Sequence, residues 1–187
     1  FSFSAIMVNP GAALVEVYKP GFFRSYKTMA VQPGSDQYLE IGIKPTAQVH
    51  QFTASSGATL QLPDGGGYQF PANSLADKIT GQVYPGSVTL SAYAVHAGEA
   101  EFFSGFPGHR GFDLDKKDVF LEPYSMISTD LESNAAQSLE PAAGQLVKLI
   151  FPIAEKDLGS APSTISMWHY DNAMGIWIEE GKAIKNG

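Results

Sequence analysis

The sequence contains no cysteine. That removes disulfides, thiolate–metal centres and cysteine nucleophiles together, and it leaves the redox compartment open. Charge is also scarce, with Asp, Glu, Lys and Arg making up 17% of 187 residues. No block of Lys or Arg occurs, and the formal net charge is −7. Nothing would offset phosphate repulsion, so nucleic acid and an anionic membrane surface are excluded as partners. No apolar run approaches the ~20 residues of a membrane-spanning helix, and no signal-peptide pattern is present. No helix-period segment exceeds two turns.

What the sequence does hold is apolar and finely divided. Hydrophobic residues make up 44%, and 19 Gly and 12 Pro are spread between short β-prone runs. This is the punctuation of an all-β protein, and the length allows one domain or two small ones. Residues 1–8 alternate, with Phe1, Phe3, Ala5 and Met7 on one side. A chain that starts in strand-like sequence implies earlier strands, and a secretion signal, upstream of Phe1.

Leu14, Val15, Val17 and Tyr18 form a β-prone run closed by Pro20-Gly21, a turn pair because Pro presets φ and Gly accepts φ > 0. "SYKTMAV" continues as a strand to Pro33-Gly34, and Tyr38, Leu39, Ile41 and Ile43 predict a third. Residues 44–67 form a seam around one short strand, Ala58 to Leu62. Beyond it Val88, Leu90, Ala92 and Ala94 alternate with Thr89, Ser91 and Tyr93, which predicts a half-buried strand. "VFLEPYSMISTDL" and "GQLVKLIFPI" predict further strands, with Leu146, Leu149 and Ile150 buried. "SLADKI" and "AEKDLG" each have room for a single helical turn. The expected fold is an antiparallel β-sandwich, built as two packed units with the first incomplete at its N-terminus.

Several motifs in order carry a family resemblance: "FPANSLADKITGQVYPGSVTLSAYAV", "FPGHRGFDL", "LEPYSMISTDLES", "GQLVKLIFPI" and "MWHYDNAMGIWIEEGKA". Over residues 50–185 this series resembles the extracellular β domain of cartilage intermediate layer proteins and related Bacteroidetes-type surface proteins. The run "VEVYKPGFFRSYKTMAV" is similar to part of a carboxypeptidase-regulatory-like, transthyretin-like domain. The resemblance implies a boundary near residue 45, with 1–45 as a partial regulatory-like unit and 46–187 as a β-sandwich surface domain. It also implies a secreted or lipid-anchored module with no chemistry and no cofactor of its own, any membrane attachment lying outside this sequence. Netrin-receptor and ankyrin-type β domains share a similar opening motif, and some cleave themselves at a His-Phe-Ser step. Here Glu101-Phe102-Phe103-Ser104 lacks the His that would assist the hydroxyl.

The candidate site residues each have a plain structural reading beside the functional one. None of His50, His96, His109 and His169 has the helical spacing of a zinc protease motif. His96 and His109 flank a Gly-rich loop holding Glu99 and Glu101, which is either a surface metal site or a solvated loop. Asp113, Asp115 and Asp118 are either part of a calcium site built with another loop or a charged turn; two lysines interrupt them and no Gly stands sixth. "DGGGY" has no Lys-Ser/Thr and no following helix, so it reads as a turn. Glu179 and Glu180 are adjacent and point to opposite faces of a strand, which prevents them from flanking one bond. "FFSGF" lacks the Gly of a nucleophile elbow.

Both tryptophans lie in "MWHYDNAMGIWIEEGKAI". A five-residue loop from Asp171 to Gly175 would place Trp168, Tyr170, Ile176 and Ile178 on one face. Met167, His169, Trp177 and Glu179 would then share the other, as an aromatic platform with ionisable neighbours. Core or edge packing is the preferred reading of this hairpin. The alternative is a carbohydrate site using Trp177, Tyr170, His169 and Glu179 with the loop aromatics Phe102, Phe103 and Phe106. The function expected of the chain is therefore a non-catalytic surface or secreted interaction module, binding protein or polysaccharide. A hydrolase or self-cleaving domain ranks below both.

Overall fold

A computed structural model describes residues 11–34, 36, 38–46 and 49–186. The alternating stretch 1–8 lies outside the described residues. The chain is all-β and mostly antiparallel, arranged as several small sheets. In order, the strands are β1 (Gly11–Val17), β2 (Ser25–Val31), β3 (Val49–Thr53), β4 (Ala58–Gln61), β5 (Gly67–Phe70), β6 (Leu75–Asp77) and β7 (Ser87–His96). A single helical turn, α1 (Phe102–Gly105), precedes β8 (Arg110–Phe112), β9 (Asp118–Phe120), β10 (Ser125–Ser133), β11 (Leu139–Pro141) and β12 (Lys148–Ile150). A second turn, α2 (Glu155–Leu158), leads into the hairpin β13 (Thr164–Asp171) and β14 (Ile176–Ile184).

The organising sheet is β10-β7-β3. Because side chains alternate along a strand, β7 sends Val88, Leu90, Ala92 and Ala94 to one side, all of them buried. They join Tyr68 and Phe70 of β5, and Leu62 just after β4, in one apolar cluster. The opposite parity, Tyr93 and Val95 with Met126 of β10, faces a second cluster of Phe102, Phe106, Leu121, Trp168, Tyr170 and Trp177. The middle sheet is therefore apolar on both faces.

Four expectations need correction. Residues 38–43 form no strand. Single backbone bonds hold the stretch near them instead, from Gly42 N–H to the Ser104 carbonyl and from Phe23 N–H to the Lys44 carbonyl, so no ladder develops. Leu75–Asp77 within "SLADKI" pairs with β11 rather than turning as a helix. Leu146 is 86% exposed and Ile150 also faces solvent, since β12 is a three-residue edge strand and only Leu149 reaches the first cluster. The helical turn at "AEKDLG" forms as α2, whereas α1 was not foreseen.

Candidate functional site

The Trp hairpin folds with a register one residue from that expected. Gly175 adopts φ +67° and its N–H donates to the Asp171 carbonyl at 2.8 Å. Asp171 Oδ1 accepts the N–H groups of Ala173 and Met174, so the acid caps the turn as an Asx turn does. The loop shortens to residues 172–175, and Asp171 stays in the ladder opposite Ile176. Tyr170 then faces Trp177, His169 faces Ile178, and Trp168 faces Glu179. Between Trp168 and Met167 the register shifts and the Glu180 backbone position has no opposite residue in the ladder, a β-bulge. A one-residue slip changes which side chains share a face. The expected pairing of Trp177 with His169 is therefore corrected: Trp177 lies with Trp168, Tyr170 and Glu179, and His169 points the other way.

Trp177 is 8% exposed and closes the second cluster. Its indole N–H donates to the Gly108 carbonyl at 2.8 Å, its ring stacks on Phe106 at 5.4 Å, and Tyr170 meets it edge-on at 5.3 Å. The Tyr170 hydroxyl bonds Thr28 Oγ1, which in turn donates to the Gly175 carbonyl. Lys27 Nζ donates to the carbonyls of Phe103 and Phe106 at the end of α1, where a cation is favoured. These bonds fasten β2 to both α1 and the hairpin tip. On its other flank β14 runs parallel to β8, with Gly111 opposite Trp177. A Cβ at Gly111 would lie 2.6 Å from Leu121 and 3.1 Å from Trp168, so only glycine lets β8 approach.

Glu179 is buried beside this cluster. Lys182 donates to Oε1 at 2.9 Å and the Leu114 N–H to Oε2 at 3.2 Å. The bonds from Lys182 and Ser166 hold its carboxyl below the usual glutamate range. Glu180 is exposed and pairs with His169 at 2.8 Å. The remaining candidates sit apart. His96 Nδ1 accepts the Gly98 N–H, and its Nε2 lies 3.6 Å from Glu99. Lys44 pairs with Glu101, His50 lies on β3, and Ser104 Oγ donates to the Glu101 carbonyl. Asp113 caps its own turn through the Asp115 and Lys117 N–H groups, Asp115 pairs with Lys117, and Asp118 takes a bidentate fork from Arg110. The three aspartates do not converge. Among the described residues no three His, Asp or Glu side chains are grouped to hold a metal ion.

Two features escaped the sequence reading. The first is an exposed ring stack at β9. Phe120, 76% exposed, lies flat on His109 at 4.8 Å, with the Phe103 ring tilted 6.1 Å from the imidazole and the Arg110–Asp118 fork alongside. The alternation Asp118, Val119, Phe120 held the signal, since it turns Phe120 outward whenever Val119 turns inward.

The second feature is an open cleft of about 1300 Å³ between the sheets. Its walls include the consecutive residues 125–130 of β10, 147–151 around β12 and 165–170 of β13. Side chains of a strand alternate in direction, so a wall made of both parities is a strand edge rather than a strand face. Among the described residues each of the three strands ends its sheet. Exposed Phe120, Ile150, Leu158 and Ile184 stand at the rim.

No family model matches the chain, and no curated protein or solved structure does.

Proposed function

We propose that this chain is a non-catalytic interaction module of a larger cell-surface or secreted protein, and that it receives a protein partner in the open cleft. The observation that carries this reading is the meeting of three strand edges at one cleft with an apolar rim. Proteins ordinarily cover or blunt such edges because unpaired N–H and C=O groups recruit other strands. Small-molecule sites occupy roughly 300–1,000 Å³, and this cleft is larger. In the same reading residues 1–45 supply the last strands of a transthyretin-like unit and 46–187 a β-sandwich, the arrangement that the family resemblance implies.

The test is binding of labelled chain to producing cells and to their extracted matrix. Ile150→Asp places a charge at the cleft rim, and Leu146→Asp places one on the exposed approach to the same strand. The reading expects saturable binding lost in the first variant and kept in the second, both folded by circular dichroism. Equal binding by the two variants would remove the cleft from the account.

A carbohydrate reading is favoured by one observation, the Phe120–His109 stack beside the Arg110–Asp118 fork. Sugar rings stack their C–H faces on such rings, and the fork offers polar groups to hydroxyls. Polysaccharide binding abolished by Phe120→Ala and indifferent to Ile150→Asp would establish this second reading.

A further inference from the structure

We infer that the outward face of the β13-β14-β8-β9 sheet is a platform for a neutral chain of pyranose rings lying across the strands; this rests on the carbohydrate reading above and extends it from one ring stack to the whole face. The registers align a row of outward side chains. His169 on β13 stands opposite Ile178 on β14, Ile178 is level with Phe112 on β8, and Phe112 stands opposite Asp118 on β9. Trp177 and Val119, one position along, turn into the second apolar cluster, so the row itself faces away from the core. Three strand spacings of ~4.8 Å put its ends about 14 Å apart, the reach of a short oligosaccharide.

The chemistry along the row is that of a polyhydroxylated ring. A polar pair stands at each end, His169 with Glu180 and Arg110 with Asp118, and all of these side chains are exposed. Half-buried Ile178 and Phe112 lie between the pairs, and Phe120, opposite Arg110, adds its exposed ring at the β9 edge. Arg110 commits Nε and Nη2 to Asp118, which leaves Nη1 to donate while the carboxylate keeps lone pairs to accept. A donor beside an acceptor suits two adjacent hydroxyls, one accepting and one donating. His109 supplies a further acceptor, because its Nδ1–H donates to the Leu121 carbonyl and the neutral ring then carries no proton on Nε2. Equatorially hydroxylated pyranoses offer C–H faces to Phe120, Phe112 and Ile178 and hydroxyl edges to the two pairs. Charge selects a neutral chain: each carboxylate on the row already has its basic partner, and the net charge of −7 opposes a polyanion. A protein laid here would strip water from both pairs, a cost repaid only if hydrogen bonds replace that water, which hydroxyls do along their whole length.

The experiment is calorimetric titration of the full chain with cellohexaose, cellobiose and hexagalacturonic acid, in wild type, Phe120→Ala and His169→Ala, each checked for folding by circular dichroism. We expect cellohexaose to bind at least ~10-fold more tightly than cellobiose, because only the longer chain spans the row, and hexagalacturonic acid to bind at least ~10-fold more weakly than cellohexaose. Phe120→Ala should abolish cellohexaose binding, and His169→Ala, at the far end, should weaken it about tenfold. Loss in Phe120→Ala with full affinity in His169→Ala, or equal binding of the two neutral sugars, would overturn the platform while leaving the ring stack as a carbohydrate site. Preference for hexagalacturonic acid would overturn the neutral ligand class. No binding of cellohexaose by the wild type would overturn the inference, and polysaccharide binding by the wild type and Phe120→Ala would then decide the carbohydrate reading separately.

Discussion

Replacing Trp177 with Phe should destabilise the chain by about 2–4 kcal/mol. Two losses set that figure. The indole is buried, and shrinking it to a phenyl ring removes roughly 50 Å² of apolar contact, or about 1 kcal/mol at ~25 cal/mol/Å². The part-buried Gly108 carbonyl also loses its donor, and an acceptor left unpaired away from water costs about 1–3 kcal/mol. Such a loss is a large share of the ~5–15 kcal/mol that holds a domain folded. The assay is urea unfolding followed by far-ultraviolet circular dichroism, with an unchanged slope and a midpoint lowered by about 1–2 M at a slope of ~2 kcal/mol/M. His169→Ala is the matched control on the opposite face. It removes only an exposed pair with Glu180, so its effect should stay within ~0.5 kcal/mol. A Trp177→Phe effect under ~0.5 kcal/mol, or the two effects reversed, would refute the register and restore an exposed Trp platform.

Gly111→Ala should cost about 1–3 kcal/mol by forcing β8 from Trp168 and Leu121, read by the same unfolding curves. The lowered pKa of Glu179 means that its ion pair contributes stability above the ordinary glutamate value of 4.5, and that this is lost as pH falls through the lower folded value. Glu179→Gln should accordingly flatten the acid limb of stability below the ordinary glutamate value of 4.5 while lowering stability at neutral pH. Acrylamide should quench Trp177 poorly, and soluble polysaccharides should leave that quenching unchanged; ready quenching reversed by a glycan would place Trp177 in a sugar site.

Much of the fold was legible where the pattern is local. The alternation Val88, Leu90, Ala92, Ala94 is a period-2 core signature, and all four side chains are buried. Pro20-Gly21 and Pro33-Gly34 turn as their φ preferences require, with both glycines at positive φ. The hairpin's register was not legible, because it depends on Gly175 closing a four-residue loop and on one unmatched residue at Glu180. The α1 turn had a readable signal in the four-residue spacing of Phe102 and Phe106, whose rings stack at 5.1 Å. The failed strand at 38–43 is apolar enough to pair, but its backbone is bonded one group at a time to distant segments. The parallel contact of β8 with β14 joins residues far apart in sequence. The cleft is less legible still, since it depends on where three sheets stop.

The central claim, that the chain works through those edges, is tested most directly by photo-crosslinking. Benzoylphenylalanine placed at Ile150 and, separately, at Leu146 would be irradiated on intact producing cells with and without excess unlabelled chain. The account predicts one adduct of defined mass from position 150, competed by unlabelled chain and absent from position 146. An adduct from both positions alike, or from neither, would contradict it.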